Sequence, residues 1–243
     1  MIDPHNPEGL LLVDKPQEFT SHDVVACLRR KFQMRRIGHA GTLDPMATGL
    51  LLCLIGKATK ASQYLISLAK EYEGTVTFGE ETNSQDADGE VMSRQEVPDL
   101  GEEEIDAYLK GFRGDQYQTP PMHSAIKVDG VPLYKRARKG QEIKREPRFI
   151  HVFSFQRLKW QKPLLEFRVK CSKGTYVRTL AHDLGQRVGC GAHLSALRRT
   201  AIDSLRIEEA LPLRELEALP RTELLSRLLP VAEYMPSATR SSP

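Results

Sequence analysis

Apolar residues along this chain recur in three ways, as unbroken runs, at every fourth position and at every second position, and each pattern predicts a different element. Leu10-Leu11-Leu12-Val13 is an unbroken run closed by Asp14-Lys15-Pro16, the mark of a buried strand and its turn. Thr20 or Ser21 can cap a helix reaching about residue 33, in which Val24, Leu28 and Phe32 recur every four residues with Val25 beside them. Leu50 to Ile55 is a second apolar run, and Lys57 to Ala69 reads as a helix. From Lys70 to Phe78 the period falls to two: Tyr72, Val76 and Phe78 share one strand face, and Glu71, Glu73, Thr75 and Thr77 the other. Tyr72 is therefore an inner-face residue, either core or the wall of a pocket. Residues 79–90 form a polar loop, with the composition but not the ligand spacing of an EF-hand. Glu102 to Phe112 is an amphipathic helix on Ile105, Leu109 and Phe112. Strands resume at about 149–158 and 164–171, and a tight turn at Ser172-Lys173-Gly174 leads to a helix through Val188. Beyond residue 203, short helical pieces at 208–210, 213–219 and 222–229 are broken by Pro212, Pro220 and Pro230, and residues 236–243 are expected to fray.

Two stretches escape these patterns. Gly38-His39-Ala40-Gly41-Thr42-Leu43-Asp44-Pro45-Met46-Ala47-Thr48-Gly49 holds three glycines, one proline, one histidine and one acid in twelve positions. Glycine admits backbone angles other residues resist and proline fixes its own, so this is an irregular loop entering a buried element. Asp44, held extended by the proline after it, either opens an Asx turn or presents a carboxylate from a stiff support. The region is not a phosphate-binding loop: in Gly56-Lys57-Ala58 an alanine follows the lysine where Ser or Thr is required. The second stretch, 113–150, is the least core-like. It contains an Asp129-Gly130 hairpin turn and the basic tract Lys135-Arg136-Ala137-Arg138-Lys139, and reads as a protruding insertion. That tract is either a solvated surface or a phosphate-binding one.

Charge separates these readings further. The 243 residues carry a net charge of only +3, but residues 1–118 hold 12 Lys and Arg against 20 Asp and Glu, and residues 119–243 hold 23 against 12. The excess lies in 121–150 (8 against 3) and 151–203 (10 against 3), which suggests a polyanionic partner for the basic middle of the chain. Arg29, Arg30, Lys31, Arg35 and Arg36 suit the end of a helix dipole and could also meet phosphates. No apolar run approaches the length of a membrane span, and the N-terminus has no secretory character. Cys27, Cys53, Cys171 and Cys190 are scattered, which predicts buried thiols in a reducing compartment and neither a zinc site nor a disulfide frame.

Taken together, several motifs in order resemble the TruB family of bacterial-type tRNA pseudouridine synthases over roughly residues 9–203. They are Leu12-Val13-Asp14-Lys15-Pro16, the Gly38–Gly49 loop, Lys70-Glu71-Tyr72, Ser84-Gln85-Asp86-Ala87-Asp88-Gly89, Ser172-Lys173-Gly174-Thr175-Tyr176-Val177-Arg178-Thr179 and Cys190-Gly191-Ala192-His193-Leu194. The resemblance implies an α+β pseudouridine synthase fold: a long, mixed, mainly antiparallel sheet around a central RNA-binding cleft, flanked by helices, with a thumb insertion at about 119–149. It implies a catalytic domain over 1–203, and it leaves 204–243 as a short helical extension in place of the PUA domain many members carry. It implies isomerisation of uridine-55 in the T-arm of tRNA by base flipping and carboxylate catalysis, without cofactor or metal. Asp44 matches the catalytic acid. Arg178 matches the guanidinium that keeps it charged, a suitable choice because arginine pairs in bidentate fashion and stays protonated. Tyr72 matches the residue that stacks on the flipped base, Tyr176 a second pocket tyrosine, Leu197 an apolar lining residue, His39 a wedge in the RNA loop and Lys60 a lysine near the RNA backbone. Lys15-Pro16 is expected to support the catalytic loop. The expected partner is the tRNA T-arm stem-loop alone, bound by a cytoplasmic monomer with no guide RNA, obligate protein partner or membrane. The rival reading is an RNA-binding chaperone of tRNA folding, and a guide-dependent synthase is a third.

Overall fold

The computed structural model describes residues 6–235 except 125, 129, 134, 135 and 137–140. In chain order the elements are β1 (Gly9–Lys15), α1 (Ser21–Phe32), β2 (Ile37–His39), β3 (Thr48–Ile55), a 3-10 turn (Gly56–Ala61), α2 (Ser62–Leu65), β4 (Lys70–Phe78), β5 (Glu80–Thr82) and β6 (Val91–Arg94). There follow α3 (Glu102–Lys110), β7 (Gly114–Gln118), β8 (Lys127–Val128), β9 (Val131–Pro132), β10 (Arg148–Gln161), β11 (Leu164–Cys171), α4 (Val177–Val188) and β12 (Ala192–Ile202). The chain closes with β13 (Leu205–Arg206), β14 (Leu211–Pro212), α5 (Leu213–Ala218) and α6 (Arg221–Ser226). It forms two compact units, one of residues 1–72 and 198–243 and the other of residues 73–197. The fold is α+β, as the motifs implied.

In the first unit β1 lies between β14, to which it is parallel, and β3, to which it is antiparallel, with Leu11 opposite Cys53 and Val13 opposite Leu51. Leu11, Val13, Leu51, Cys53 and Ile55 pack against Val24, Leu28 and Phe32 of α1 and against Leu213, Leu216 and Leu224. The alternate residues Leu10, Leu12, Leu50, Leu52 and Leu54 pack on the other face with Ala58, Leu65, Ile202 and Leu205. Both strands are thus buried on two sides, which is why they read as unbroken apolar runs. Each fully buried leucine contributes about 1.5–3 kcal/mol. Thr20 caps α1 through a reciprocal box with Asp23, and Gln33 ends the helix in a left-handed conformation. The Lys57–Ala69 helix expected from sequence is a 3-10 turn and a single α turn instead. Thr59 and Ser67 turn their hydroxyls back onto the carbonyls of Gly56 and Tyr64, an alternative to regular helix that Ser and Thr offer the backbone.

In the second unit the strand order is β12-β4-β11-β10-β7. Its core is Val76, Phe78, Leu165, Phe167, Val169, Ile150, Val152 and Phe155, with Ile105, Leu109 and Phe112 of the α3 segment. Phe112, Phe155 and Phe167 meet edge to face at centroid distances of 6.1 and 5.3 Å. The loop expected at 79–90 contains β5, which pairs with β6. Asp129 of the expected hairpin turn lies outside the described residues, as do Lys135, Ala137–Gly140 and the C-terminal Pro236–Pro243. On either side of that turn β8 and β9 pair antiparallel. All four cysteines are free and buried, and burial pushes the Cys53 thiol up to about 12.

Helix α4 carries one expected site residue, Arg178, and starts directly after another, Tyr176; its seat depends on Gly185. A β-carbon there would stand 2.2 Å from the Ala192 nitrogen and 2.4 Å from the Gly191 carbonyl carbon. Gly185→Ala is therefore expected to lower unfolding free energy by about 2–3 kcal/mol, despite alanine's better helix propensity. Urea denaturation of the two proteins checks this.

Candidate active site

The Asp44 loop is fixed at nearly every residue. His39 ends β2 and faces Cys53 across the ladder, and the Ala40 amide donates to the Leu52 carbonyl at 2.9 Å. The buried Ser21 hydroxyl of α1 accepts from the Leu43 amide at 2.8 Å. The Ala47 amide closes a turn on the Asp44 carbonyl at 3.1 Å, and Pro45 offers its carbonyl to the Glu18 amide at 2.9 Å. Gly49 then enters β3 with φ of +100°, its α-carbon so close to β12 that a β-carbon would sit 2.4 Å from the Arg199 carbonyl oxygen. That approach and that angle account for one of the three glycines. Asp44 itself is half-buried.

Two buried cations underlie the loop. Arg199 is 1% exposed; its guanidinium donates to the carbonyls of Leu50 (2.7 Å), Gly41 (3.2 Å) and Thr42 (3.5 Å). Lys15 is fully buried, and its ammonium donates to the carbonyls of Phe19 (2.6 Å), Pro16 (2.9 Å) and Pro45 (3.5 Å). Burial pulls its pKa down to about 8, against the opposing pull of the Asp44 carboxylate, while Arg199 lowers it further. Lys15 thus ties the loop at the residue after Asp44 and places a positive charge within electrostatic reach of that acid. Burial, with Arg199 second, also lowers the pKa of His39, so that imidazole is neutral at physiological pH. Beside them Arg198 makes a bidentate pair with Asp14 at 3.0 and 2.7 Å. Tyr72 is 8% exposed on the inner face of β4. Lys60 is exposed and lines a cleft of about 720 Å³ with Lys57, Tyr64 and Met235 among others.

The second unit holds the other expected residues. Tyr176 is the residue before α4, and its ring centroid is 5.7 Å from the Arg178 guanidinium. Arg178 is 5% exposed; it pairs with the buried Asp86 at 2.9 Å and donates to the His123 carbonyl at 2.5 Å. Asp86 also accepts from the Ser84 hydroxyl at 2.5 Å and the Asp88 amide at 3.2 Å. Leu197 is half-buried in β12. His39 and Asp44 therefore share one pinned loop, and Tyr176 and Arg178 share one helix start. Sequence reasoning did not single out Asp86, Lys15 as a charge, or Arg199. Asp86 stood inside a quoted motif, but nothing in its spacing set it apart from Asp88. Arg199 follows Arg198 in the sequence, and only a known strand separates such neighbours onto opposite faces.

A model described as "TruB family pseudouridylate synthase (N terminal domain)" matches residues 29–177, and one described as "tRNA pseudouridylate synthase B C-terminal domain" matches residues 178–235. The chain belongs to the TruB family of pseudouridylate synthases. It is 65% identical over 238 residues to the tRNA pseudouridine synthase B of Opitutus terrae, covering 98% of this chain and 99% of that protein. It is 46% identical over 230 residues to the protein of that name from Dechloromonas aromatica, covering 95% and 77%. Among solved structures it is similar to a chain in a crystal structure of a Cbf5-Nop10-Gar1 complex, with a TM-score of 0.73 and 28% identity. That match covers 93% of the present chain and 61% of the solved one, so the chain spans about three-fifths of that structure's length. Among the described residues no helix is long and apolar enough to cross a membrane.

The Lys15 shift has a sign that can be measured. The folded chain gives up this proton near pH 8, whereas an unfolded lysine holds it to about 10.5. Between those values unfolding takes up a proton, so the Lys15 contribution to stability rises with pH across that window. Urea midpoints at pH 7.5 and 9.5 are expected to show wild type gaining relative to Lys15→Met as pH increases.

Proposed function

We propose that this chain is an isomerase that converts uridine-55 in the T-arm of tRNA to pseudouridine, with Asp44 as the catalytic carboxylate. The observation that carries the reading is the placement of Asp44 on a loop pinned from both sides by buried cations, in a chain that matches a synthase of that name over almost its whole length. The net change breaks the C1′–N1 bond and joins C1′ to C5; N1 gains a proton and C5 loses one. Nothing is oxidised or reduced and no group leaves. An ionised carboxylate can attack C1′, add to C6, or take the C2′ proton, and each route needs the acid charged and aimed. Partial burial opposes that charge, so nearby cations are required.

A stacked base is out of reach of the carboxylate, so the target nucleotide must leave the loop, at a cost of a few kcal/mol. On this reading Tyr72 stacks on the extruded base and Tyr176 contacts it. Leu197 supplies apolar lining, His39 fills space in the RNA loop, and Lys60 meets the RNA backbone. Arg178 is the guanidinium that keeps the attacking carboxylate ionised. The basic middle of the chain, including the thumb insertion at 119–149, carries the attraction for phosphates. We further propose that the chain acts as a cytoplasmic monomer on the bare T-arm, with neither guide RNA nor obligate protein partner. Activity of the purified chain on a synthetic stem-loop tests this, and a requirement for a second RNA or protein contradicts it.

Asp44→Asn is expected to lower the rate of pseudouridine formation by more than about 10³-fold. Affinity for a T-arm stem-loop is expected to stay within about threefold, since phosphate contacts dominate binding. Pseudouridine mapping and an equilibrium binding assay on the same RNA check both. Isomerisation near the wild-type rate in the variant would remove Asp44 from the catalytic role, and only a wild-type chain that binds the stem-loop without isomerising it would return the chain to the class of RNA-binding chaperones.

A further inference from the structure

We propose that Gln118 is a positioning residue for the substrate pocket: its side-chain amide clasps the backbone of Tyr176 and so sets where the Tyr176 ring stands. The inference rests on the assignment of Tyr176 to that pocket made above. Gln118 is the last residue of β7, opposite Arg148 of β10, and its side chain is 4% exposed. Its Nε2 donates to the Tyr176 carbonyl at 3.1 Å, and its Oε1 accepts from the Tyr176 amide at 2.8 Å. Two opposed bonds to one residue fix both position and rotation, as a rung of an antiparallel ladder does, but here one partner is a side chain.

The place of that clasp matters. Tyr176 has extended backbone angles (φ −95°, ψ 107°) and no side-chain cap for α4. Its carbonyl also accepts from the Thr179 and Leu180 amides at 3.1 and 3.2 Å, so the residue Gln118 holds is the one on which the first helical turn is built. That turn carries Arg178, whose guanidinium reaches Asp86 on one side and the His123 carbonyl on the other. Residues 118 and 123 lie on one short segment, and residues 176 and 178 on another. The two segments are joined once through the Gln118 amide and once through the Arg178 guanidinium. The chain between Gln118 and β10 is the stretch in which the thumb insertion was expected.

The amide is also hard to replace. Glutamate keeps the bond from the Tyr176 amide but turns an oxygen toward the Tyr176 carbonyl. Methionine keeps the volume and removes both bonds. Asparagine is one methylene short of reaching.

The test uses the full chain and a T-arm stem-loop. Single-turnover rates, RNA affinity and thermal melts are measured for wild type, Gln118→Met, Tyr176→Leu and the double variant. Gln118→Met is expected to slow isomerisation by about 10²-fold, the effect of an ångström-scale misplacement of a reacting group, with RNA affinity within about threefold. In the Tyr176→Leu background the same substitution is expected to cost less than about threefold, because residues acting through one another are not additive. Equal losses in both backgrounds, or a loss in affinity alone, would overturn the proposal, since a merely structural glutamine behaves that way. If Gln118→Met melts below the assay temperature, Gln118→Glu takes its place in the same cycle, with an intermediate loss supporting the clasp and additive losses rejecting it. A Tyr176→Leu protein as fast as wild type would instead remove Tyr176 from the pocket, a failure of the functional reading that the single variants report separately.

Discussion

A guanidinium with almost no access to solvent is what the Asp44 loop is built on. Arg199 donates to three carbonyls, two in the loop and one in the strand that leaves it. A charge taken out of water at this depth is tolerable only when such acceptors surround it. The loop therefore has little freedom: to move, it would have to strip those acceptors from a buried cation. Lys15 repeats the arrangement from the other side, satisfied by three carbonyls of its own, one of them beside Asp44. The glycines and proline of the loop make its path possible, but they would leave it loose, and the two cations give it one conformation.

The second unit solves a similar problem with an ion pair. Arg178 and Asp86 are both nearly excluded from solvent, and each has further partners: the His123 carbonyl for the arginine, Ser84 and the Asp88 amide for the aspartate. Such a pair contributes little net stability against an apolar replacement, and its breakage is costly because it leaves a buried charge alone. Its value is geometric. It fixes the loop 82–89 against the first turn of α4, where Tyr176 also stands. The same turn takes the Gln118 clasp, so three separate segments converge on one helix start. Gly185, further along α4, lets the helix lie against the start of β12 at a distance no side chain would allow.

Much of the fold was legible because apolar spacing reports burial directly. The runs at Leu10–Val13 and Leu50–Ile55 proved to be neighbouring strands covered on both faces, and the alternation in 70–78 and 164–171 gave the strands and their inner faces. The Lys57–Ala69 segment was misread, since its residues permit a helix, whereas the segment is a 3-10 turn and one α turn in which the Thr59 and Ser67 hydroxyls bond local carbonyls. Asp44 was legible as a carboxylate on a constrained loop, because glycine and proline are themselves statements about backbone shape.

The sequence by itself determined most of the strands and longer helices, which stretch would be an irregular loop, where positive charge would gather and, through its ordered motifs, the family. What only the tertiary structure decided was which charged residues would lose their water. Lys15, Asp86, Arg178 and Arg199 are ordinary surface residue types, and no local pattern marks them for burial. Their role follows from distant strands and loops closing around them. Desolvation, with the satisfied hydrogen bonds that make it bearable, is a property of the packed chain and not of any segment within it.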